Sequence, residues 1–333
     1  MQPEFSFIIP VYERQDELEA LLHSFRQTMP PDFSYEIIIV DDGSRQADLK
    51  RVTDHFPGLP VHYIRQENAG PGVARNRGMQ QARGQWFVLI DSDVLFPGDY
   101  AHQLQKAVAH FPQAGMIGGR DTDHPSFSVF QKAVNLVMTS FCTTGGIRGN
   151  KTRVGRFVPR SFNMAVHRKV WEQIGGFSDM HPGEDPEWVY RWWQTGGTTA
   201  SFPAWKIYHK RRINLRSFIR QIRKFARTRV ILSKLYSGTF SPVFLAPVLF
   251  VLFTVAAVFY VPFRLLLGLY LFCAFVEFLW RSRNIVAALA ALPLIFVQNA
   301  VYALGLIESF IPIYILRKKP REAFPSLFFK KSK

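Results

Sequence analysis

Cysteine is scarce in this sequence, which has only two in 333 residues, Cys142 and Cys273. Two cysteines cannot form the disulfide framework that stabilises small secreted domains. The amino terminus, MQPEFSFIIP, also lacks the basic start and apolar segment of a secretory signal peptide. The scarcity of cysteine predicts a reduced, cytoplasmic setting for the soluble part of the chain, and from the amino terminus we expect no signal peptide.

Acidic residues are missing from a long central stretch, since none occurs between Glu187 and Glu277. Residues 1–187 hold 19 Lys and Arg against 22 Asp and Glu, whereas residues 188–333 hold 22 against 3. The formal net charge of +16 therefore belongs to the second half of the chain, where basic residues border apolar runs. This arrangement indicates anionic membrane lipids as a partner and argues against nucleic acid.

Three long apolar runs occupy that second half, at residues 243–262, 265–280 and 285–316. The first contains no charge and is long enough to cross a bilayer, which needs about 20 residues. Basic segments precede and follow the three runs and both favour the cytoplasmic side, so we expect an even number of crossings. Two full spans with 285–316 re-entrant or interfacial satisfy this expectation, and three plain spans are the alternative.

The second half is therefore predicted to contain a basic segment at 209–241, a transmembrane region at 242–316 and a basic cytoplasmic tail at 317–333. The basic segment has an apolar helical face, with arginine and lysine on the remaining faces. Such a helix is typical of the membrane interface, and packing on the soluble domain is the alternative. The apolar face comprises Leu215, Phe218, Ile219, Ile222, Phe225 and Ala226.

Residues 1–208 alternate short apolar strands with helical segments, which predicts an α/β domain with a mostly parallel sheet and crossover helices. Three strands end in polar or acidic residues, within VDDGS, QENAG and IDSDV. Ligands bind at the carboxyl ends of strands in such sheets, so these ends predict the functional site. The predicted strands are 5–12, 35–44, 61–67 and 85–94, and the predicted helices are 16–27 and 71–84.

Asp91 and Asp93 flank one serine directly after the apolar stretch FVLI. Alternate residues of a strand share a face, so both carboxylates can reach one ion. Hard oxygen ligands of this kind suit Mg²⁺ or Mn²⁺ shared with substrate phosphates. An isolated pair of this kind is usually a surface feature, but the strand and motifs around this one favour a metal site.

Two other strand ends carry candidate ligand-binding residues. Asp42 follows IIIV and can accept a hydrogen bond from the imide N–H of a uracil ring, or it can stabilise a turn. Asn68 and Arg75 belong to a glycine-rich segment that opens a helix, where small residues permit close approach and the helix N-terminus favours phosphate. An ordinary solvated loop is the alternative for this segment.

Glu184 and Asp185 precede a segment rich in tryptophan. A half-buried carboxylate there is a candidate general base, because burial raises its pKa. Asp185 can also cap a helix with Pro186 at its first position, and the two roles are compatible. His209 begins the basic segment and is either a third ligand of the metal ion or an ordinary surface residue.

These segments resemble the successive motifs of the family 2 glycosyltransferases, a large group of inverting enzymes with the GT-A fold. The resemblance covers residues 5–210 and implies a GT-A catalytic domain, with a Rossmann-like sheet, followed by an α-helical membrane region. Six motifs match in order and at fitting distances: FIIPVYER, IIIVDDGS, ENAGPGVARNRGMQQARG, FVLIDSDV, SFNMAVHRKVWEQIGGFSD and GEDPEWVYR.

The resemblance also implies roles for individual residues. Asp185 matches the catalytic base, with Glu184 supporting it. Asp93 matches the direct metal ligand, Asp91 would contact the ribose and the metal, and His209 lies where many relatives place a histidine facing the metal or the diphosphate. The other implied contacts to the nucleotide sugar are Pro10, Tyr12, Glu13, Asp42, Asn68, Arg75, Asn163 and Arg191.

The implied reaction is a single in-line displacement with Mn²⁺ or Mg²⁺ as cofactor. A sugar passes from a nucleotide-diphosphate sugar, with uracil the favoured base, to a hydroxyl of a lipid-linked or cell-surface glycan. The stretch after Asp185 keeps Arg191 and Trp192 but lacks the glutamine of processive synthases, so we expect one sugar to be added at a time. The expected location is the inner membrane, multi-pass, with the catalytic domain facing the cytoplasm.

Two other functions remain as alternatives. A polyprenyl-phosphate sugar synthase has an acceptor that is already a phosphate and needs no base, so the pair formed by Glu184 and Asp185 argues for a hydroxyl acceptor. An inactive membrane scaffold would keep the fold without its chemistry, and here every expected acid is present.

Overall fold

The computed structural model describes residues 2–122, 127–145, 157–209 and 214–329, with the exception of the His209 side chain. The chain divides into two compact units, called here the sheet unit and the helical unit. The sheet unit comprises Met1–Thr122, Gly155–His209 and Phe328–Lys333. The helical unit comprises Asp123–Val154 and Lys210–Leu327.

Within the described residues the chain forms eight strands and thirteen α-helices. The strands are β1 (Phe5–Val11), β2 (Tyr35–Asp41), β3 (Val61–Arg65), β4 (Trp86–Ile90), β5 (Val94–Leu95), β6 (Met116–Thr122), β7 (Asn163–His167) and β8 (Thr199–His209). The helices are α1 (Gln15–Thr28), α2 (Leu49–Asp54), α3 (Pro71–Gln81), α4 (Tyr100–His110), α5 (Val129–Thr139), α6 (Phe141–Thr144), α7 (Arg168–Ile174), α8 (Glu184–Gln194), α9 (Leu215–Leu235), α10 (Ala246–Phe259), α11 (Val261–Ser282), α12 (Ile285–Phe310) and α13 (Pro320–Ala323).

The eight strands form one mixed sheet in the order β3-β2-β1-β4-β7-β6-β8-β5. Strands β1 to β4 pair in parallel, as the alternation of strands and helices predicts. Strand β7 runs antiparallel to both of its neighbours, β4 and β6, and β5 runs antiparallel to β8. The sheet therefore has a parallel half that is contiguous in sequence and a mixed half built from later strands.

Alternation along β1 separates the two faces of the sheet. Phe5, Phe7 and Ile9 pack into one buried cluster with leucines of α1, whereas Ile8 packs into a second cluster with residues of α3. Helix α3 lies close to the sheet at Gly78, where an added Cβ would lie 2.6 Å from Ile8 Cγ2. This contact packs the later part of α3 on β1 and β2, and the hydrogen bond from Gly70 N, at the N-cap of α3, to Asp42 Oδ2 places the start of the helix beside the end of β2.

The predicted strands at 5–12, 35–44 and 61–67 and the predicted helix at 16–27 are confirmed with shifted ends. The predicted strand at 85–94 is instead two strands, β4 and β5, and Asp91 and Asp93 lie in the turn between them and not on a strand. The predicted helix at 71–84 ends at Gln81, three residues before Gly84. Residues 83 and 84 bind the sheet instead, since Arg83 N donates to Glu36 Oε1 and Gly84 N donates to Ser6 Oγ. Competition from these sheet contacts, which are distant in sequence, explains the earlier end of the helix.

Three segments of the described helical unit are long and apolar enough to cross a membrane, and they coincide with the predicted apolar runs. The first begins with a 3₁₀ turn and the third ends with a π-helical turn. Such helices fit a membrane anchor. The segments are Pro242–Phe259, Val261–Ser282 and Ile285–Ile315.

Helix α12 differs from α10 and α11 in how much of it is covered by protein. In an apolar stretch of 18 residues within each segment, the buried share is 39% for the third segment, against 6% and 11% for the first two. Helices α5 and α9 both pack on α12. At Gly305 an added Cβ would lie 2.7 Å from Ala226 Cβ of α9, and Glu308 forms ion pairs with Arg223 and Arg227 of α9.

Glu277, the acid within the second apolar run, has its partners inside the helical unit. Its carboxylate accepts hydrogen bonds from Ser140 Oγ at 2.5 Å, Phe141 N at 2.9 Å and Cys142 N at 3.0 Å. Arg281 lies one helical turn further along α11, 3.4 Å from Glu277 Oε1. The glutamate therefore holds the end of α5 and the start of α6 against α11.

Candidate active site

The acidic strand ends lie at one edge of the sheet. Strands β2 and β4 pair in parallel with β1 on its two sides. Asp41 is the last residue of β2, and Asp91 directly follows Ile90, the last residue of β4. The parallel strands thus bring both carboxyl ends to the edge where the start of α3 also lies.

Arg75, on the first turns of α3, joins this edge to the start of α8. Its Nη2 donates to Asp91 Oδ1 at 2.5 Å, and its Nη1 lies 3.6 Å from Glu184 Oε1. The residue is only 3% exposed. Within the described residues its Nε and Nη1 have no hydrogen-bond partner. A buried guanidinium with spare N–H groups is suited to an anionic ligand, and Arg fits phosphate oxygens particularly well.

Glu184 and Asp185 differ in their electrostatic surroundings although they are neighbours. Burial acts to raise the pKa of Glu184, but the nearby His181 and Arg75 together hold this pKa below its usual value. Burial raises the pKa of Asp185, and the negative charge of Glu184 raises it further. Glu184 is therefore the residue that stays ionised, and Asp185 is the more basic of the two carboxylates.

Asp185 is positioned by a contact with a distant segment of the sheet unit. Its Oδ2 accepts a hydrogen bond from Ser161 N at 3.2 Å, while its Oδ1 is buried without a hydrogen-bond partner in the described residues. The prediction that Asp185 caps a helix is wrong, because α8 already begins at Glu184 with Gly183 at the N-cap. The carboxylate is thereby available for chemistry.

His181 holds Glu184 in place. Its Nδ1 lies 2.8 Å from Glu184 Oε1, and the other carboxylate oxygen, Oε2, accepts a hydrogen bond from Gly183 N at 2.8 Å. Together with Arg75, these contacts restrain Glu184 from three directions. His181, Glu184, Arg75 and Asp91 thus form a continuous polar chain from the loop before α8 to the end of β4.

Asp93 lies close to Arg14, a basic residue that the sequence analysis did not single out. Arg14 Nη1 is 3.5 Å from Asp93 Oδ2 and 3.2 Å from Glu17 Oε1. Across the described residues, no three His, Cys, Asp or Glu side chains are grouped so that they could hold a metal ion. Asp91 and Asp93 offer two carboxylates, a set that fits Mg²⁺ or Mn²⁺ when diphosphate and water supply the other ligands.

The predicted metal ligand His209 can be placed only by its backbone. It is the last residue of β8 and pairs with Val94 of β5, one residue beyond Asp93. The side chain lies outside the described residues. The strand register therefore brings the backbone of His209 next to the predicted metal ligands. The role of His209 as a metal ligand stays a prediction.

Asp42 and Glu13 each organise a loop at the nucleoside side of the edge. Asp42 accepts hydrogen bonds from Gln66 Nε2 at 2.8 Å and from the backbone N–H groups of Ala69 at 2.9 Å and Gly70 at 2.8 Å. A carboxylate has about four acceptor sites, so these three donors leave one for the imide N–H of a base, and this role of Asp42 stays a prediction. Glu13 accepts from the backbone N–H groups of residues 45, 46 and 47, with Arg45 N the main cause of its lowered pKa.

Three other predicted nucleotide contacts surround these loops. Pro10 is half-buried in β1 opposite Val40 of β2, and Tyr12 is 47% exposed just after β1. Asn68 is exposed in the loop that Asp42 holds. Their placement at the edge fits the predicted pocket, and their roles as ligands remain predictions.

The structure gives Asn163 and Arg191 structural partners. Asn163, fully buried in β7, accepts a hydrogen bond from Tyr100 OH at 3.2 Å. Arg191 binds Glu187 and the carbonyl of Ile174 at 2.8 and 2.6 Å. Tyr100, Glu187 and Ile174 are not candidate site residues. These contacts therefore do not join Asn163 or Arg191 to Asp91 or Asp185.

A mixed α/β sheet with acids at its parallel edge, and an arginine that joins Asp91 to a second acidic pair, fits a glycosyltransferase of the GT-A type. The model of the family described as "Glycosyl transferase family 2" matches residues 6–174, just over half of the chain. The chain therefore belongs to glycosyltransferase family 2.

Curated relatives match over shorter stretches. A dolichyl-phosphate beta-glucosyltransferase of Dictyostelium discoideum is 36% identical over 98 residues, which is 26% of this chain and 30% of the relative. The glycosyltransferase AglE of Haloferax volcanii is 24% identical over 200 residues, 57% of this chain and 61% of the relative. The chain spans about a third of the length of three other curated relatives that it matches, from 29 to 37%.

A solved structure shares the fold along most of the chain. It is that of the mannosyltransferase PcManGT from Pyrobaculum calidifontis in complex with GDP-Man and Mn²⁺. The TM-score is 0.59 at 18% identity, and the similarity covers 93% of this chain and 88% of that one. At this identity the comparison shows the fold, and the predicted GT-A fold is confirmed.

Proposed function

We propose that this enzyme transfers one sugar at a time from a nucleoside-diphosphate sugar to a hydroxyl group of a lipid-linked or cell-surface glycan, with inversion at the anomeric carbon. The state of Asp185 carries the proposal. Its pKa is raised, and its Oδ1 is buried without a hydrogen-bond partner in the described part of the chain. A basic carboxylate with an available oxygen is what removal of a proton from an acceptor hydroxyl requires.

In the proposed reaction the acceptor oxygen attacks the anomeric carbon while Asp185 takes the hydroxyl proton. The bond from that carbon to the diphosphate oxygen breaks, and its electron pair leaves with the nucleoside diphosphate. Arg75 contributes positive charge where the diphosphate would lie, beside Asp91. Glu184 keeps Arg75 oriented, and its negative charge makes Asp185 more basic.

Asp93 and Asp91 would hold Mn²⁺ or Mg²⁺ in this proposal, with His209 as a candidate third ligand. A bound divalent ion neutralises charge that develops on a departing diphosphate. The solved structure with GDP-Man and Mn²⁺ supports this reading only at the level of the fold. Uridine is the proposed nucleoside, and this choice rests on the family resemblance.

A polyprenyl-phosphate sugar synthase is the second candidate. The observation that favours it is the relative named as a dolichyl-phosphate beta-glucosyltransferase, which is 36% identical over 26% of this chain. A phosphate acceptor is already ionised and needs no general base. The dependence of transfer on Asp185 therefore separates the two candidates.

The proposed enzyme lies in the inner membrane and crosses it twice, through α10 and α11, with α12 at the membrane interface. Protein covers α12 far more than the other two segments. The end of α12 also packs along α9, where Arg223 and Arg227 pair with Glu308. These charges would be costly in the hydrocarbon core, whereas arginine-rich amphipathic helices are stable at the interface.

The return of the chain to the sheet unit supports an even number of crossings. The chain leaves this unit after His209 and rejoins it at Phe328. Because both ends belong to one folded unit, they lie on one side of the membrane. Exposed Arg216 and Arg220 of α9 would meet anionic lipids, and this supports the proposal that the two ends face the cytoplasm.

Labelling of single cysteines tests this topology. In a variant with Cys142→Ser and Cys273→Ser, cysteines are introduced singly at Tyr260, Arg283 and Lys318. We expect a membrane-impermeant maleimide to label only position 260 from outside intact inner-membrane vesicles of native orientation. Labelling of position 318 from outside, with position 283 protected, would establish three full spans instead.

A further inference from the structure

The last described residues of the chain pair with the loop that precedes α8. Phe328 forms an antiparallel bridge with Met180, and Phe329 N donates a hydrogen bond to Asp179 O at 2.9 Å. These residues all belong to the sheet unit. A segment that follows the membrane helices is thus a structural part of the domain that carries the active site.

The ring of Phe329 contacts two positions that hold the candidate site together. Its centroid is 6.1 Å from that of the His181 ring. It also covers Gly70, where an added Cβ would overlap the ring, and Gly70 has a left-handed φ of +93°. His181 holds Glu184, and Gly70 N donates to Asp42 Oδ2.

We propose that Phe329 is a positioning residue of the donor site, and that the segment Phe328–Phe329 is a strap that holds the Gly70 loop and the His181 loop in their binding-competent arrangement. The proposal rests on the proposed function, since it assigns the site to a nucleotide sugar. Phe329 acts on the site through the two positions that its ring contacts, His181 and Gly70.

If Phe328–Phe329 acts as a strap, loss of the Phe329 ring should change the donor KM and not kcat. If only a fraction of the molecules without the ring have the competent arrangement, the apparent affinity for donor falls to that fraction of the parent value. Saturating donor restores the competent arrangement, so kcat changes little. Loss of the ring is expected to raise the donor KM about tenfold, corresponding to a competent fraction of about 0.1.

The experiment compares full-length parent with Phe329→Ala, Phe329→Tyr and a chain that ends at Phe329, all in lipid nanodiscs. We expect Phe329→Ala to raise the donor KM about tenfold with kcat within about twofold, and Phe329→Tyr, which keeps the ring, to restore the parent KM. The chain that ends at Phe329 lacks only the last four residues of the sequence, KKSK, and is expected to match the parent.

Two further readouts separate failure of the strap from failure of the proposed function. Calorimetry with UDP and Mn²⁺ measures donor-site affinity without any acceptor, and hydrogen exchange of residues 179–184 measures how firmly the loop is held. Faster exchange in Phe329→Ala together with weaker UDP binding supports the strap. Unchanged exchange together with an unchanged donor KM would overturn the strap, as would a fall in kcat at constant KM.

A different result would contradict the proposed function. If the parent bound no nucleotide, the proposed function would be wrong, and hydrogen exchange alone would then test whether Phe329 holds the loop.

Discussion

Replacing Asp185 with asparagine is expected to lower kcat for transfer to a hydroxyl acceptor by about 10³-fold, because a general base contributes about 10² to 10⁴. Asparagine keeps the size of the side chain and can still accept the hydrogen bond from Ser161 N, but it cannot take a proton. The donor KM should stay close to that of the parent. Initial rates of nucleoside-diphosphate release at saturating acceptor measure both constants.

The matched control for this variant is Glu172→Gln, which removes one negative charge from an exposed position on α7. It should transfer sugar at the parent rate. Full activity of Asp185→Asn would contradict a base role for this residue and would support a phosphate acceptor. The comparison therefore also decides between the two candidate functions.

The pH dependence of the parent provides a second test of Asp185. Burial and the charge of Glu184 raise the pKa of Asp185, and a general base works only when it is deprotonated. The rate should therefore be fully present above this raised pKa and be lost as the pH falls through it, at a higher pH than an ordinary aspartate would give. An acid limb at or below the usual aspartate pKa, about 3.9, would contradict the assignment.

Replacing Asp93 with alanine is expected to remove the response of transfer to Mn²⁺ and to lower kcat/KM by about 10²-fold or more. Loss of one preorganised charge-stabilising contact typically costs about 10² to 10³ in rate, and Asp93 is the predicted direct ligand of the ion. Rates measured over a series of Mn²⁺ concentrations, in parent and variant, give the effect.

Asp99→Ala is the appropriate control, because Asp99 is an exposed acid a few residues further along the same segment. It should keep the metal response of the parent. Thermal unfolding of all three proteins separates loss of the site from loss of the fold. If Asp93→Ala responded to Mn²⁺ as the parent does, the ion would have to be bound elsewhere.

The strand ends could be predicted because they depend on local pattern. The apolar runs before Asp42 and Asp91 each end in carboxylates, and parallel pairing brings such ends together. The three apolar helices were likewise predictable, since length and composition alone determine whether a helix can span a bilayer.

Contacts between residues far apart in sequence could not be predicted in this way. Nothing local in the sequence pairs Arg75 with Glu184, or brings Phe329 back to Asp179 across the membrane segments. The same limit applies to Arg14, whose proximity to Asp93 depends on the packing of α1 beside β5. In the loop before α8, the sequence HPGED does place His181 near Glu184, so that pair could have been found.

Calorimetric titration of the full-length protein with UDP, GDP, dTDP and CMP, each with and without Mn²⁺, measures whether the site binds a nucleoside diphosphate through a metal ion. We expect UDP alone to bind, only when Mn²⁺ is present, and we expect Asp93→Ala to abolish this binding. Binding of a nucleotide without Mn²⁺ would mean that Arg75, and not a metal ion, supplies the contacts to the diphosphate. This result would contradict the metal site. If none of the four nucleotides bound, the proposed activity as a nucleotide-sugar transferase would be contradicted. The inactive membrane scaffold would then be the supported alternative.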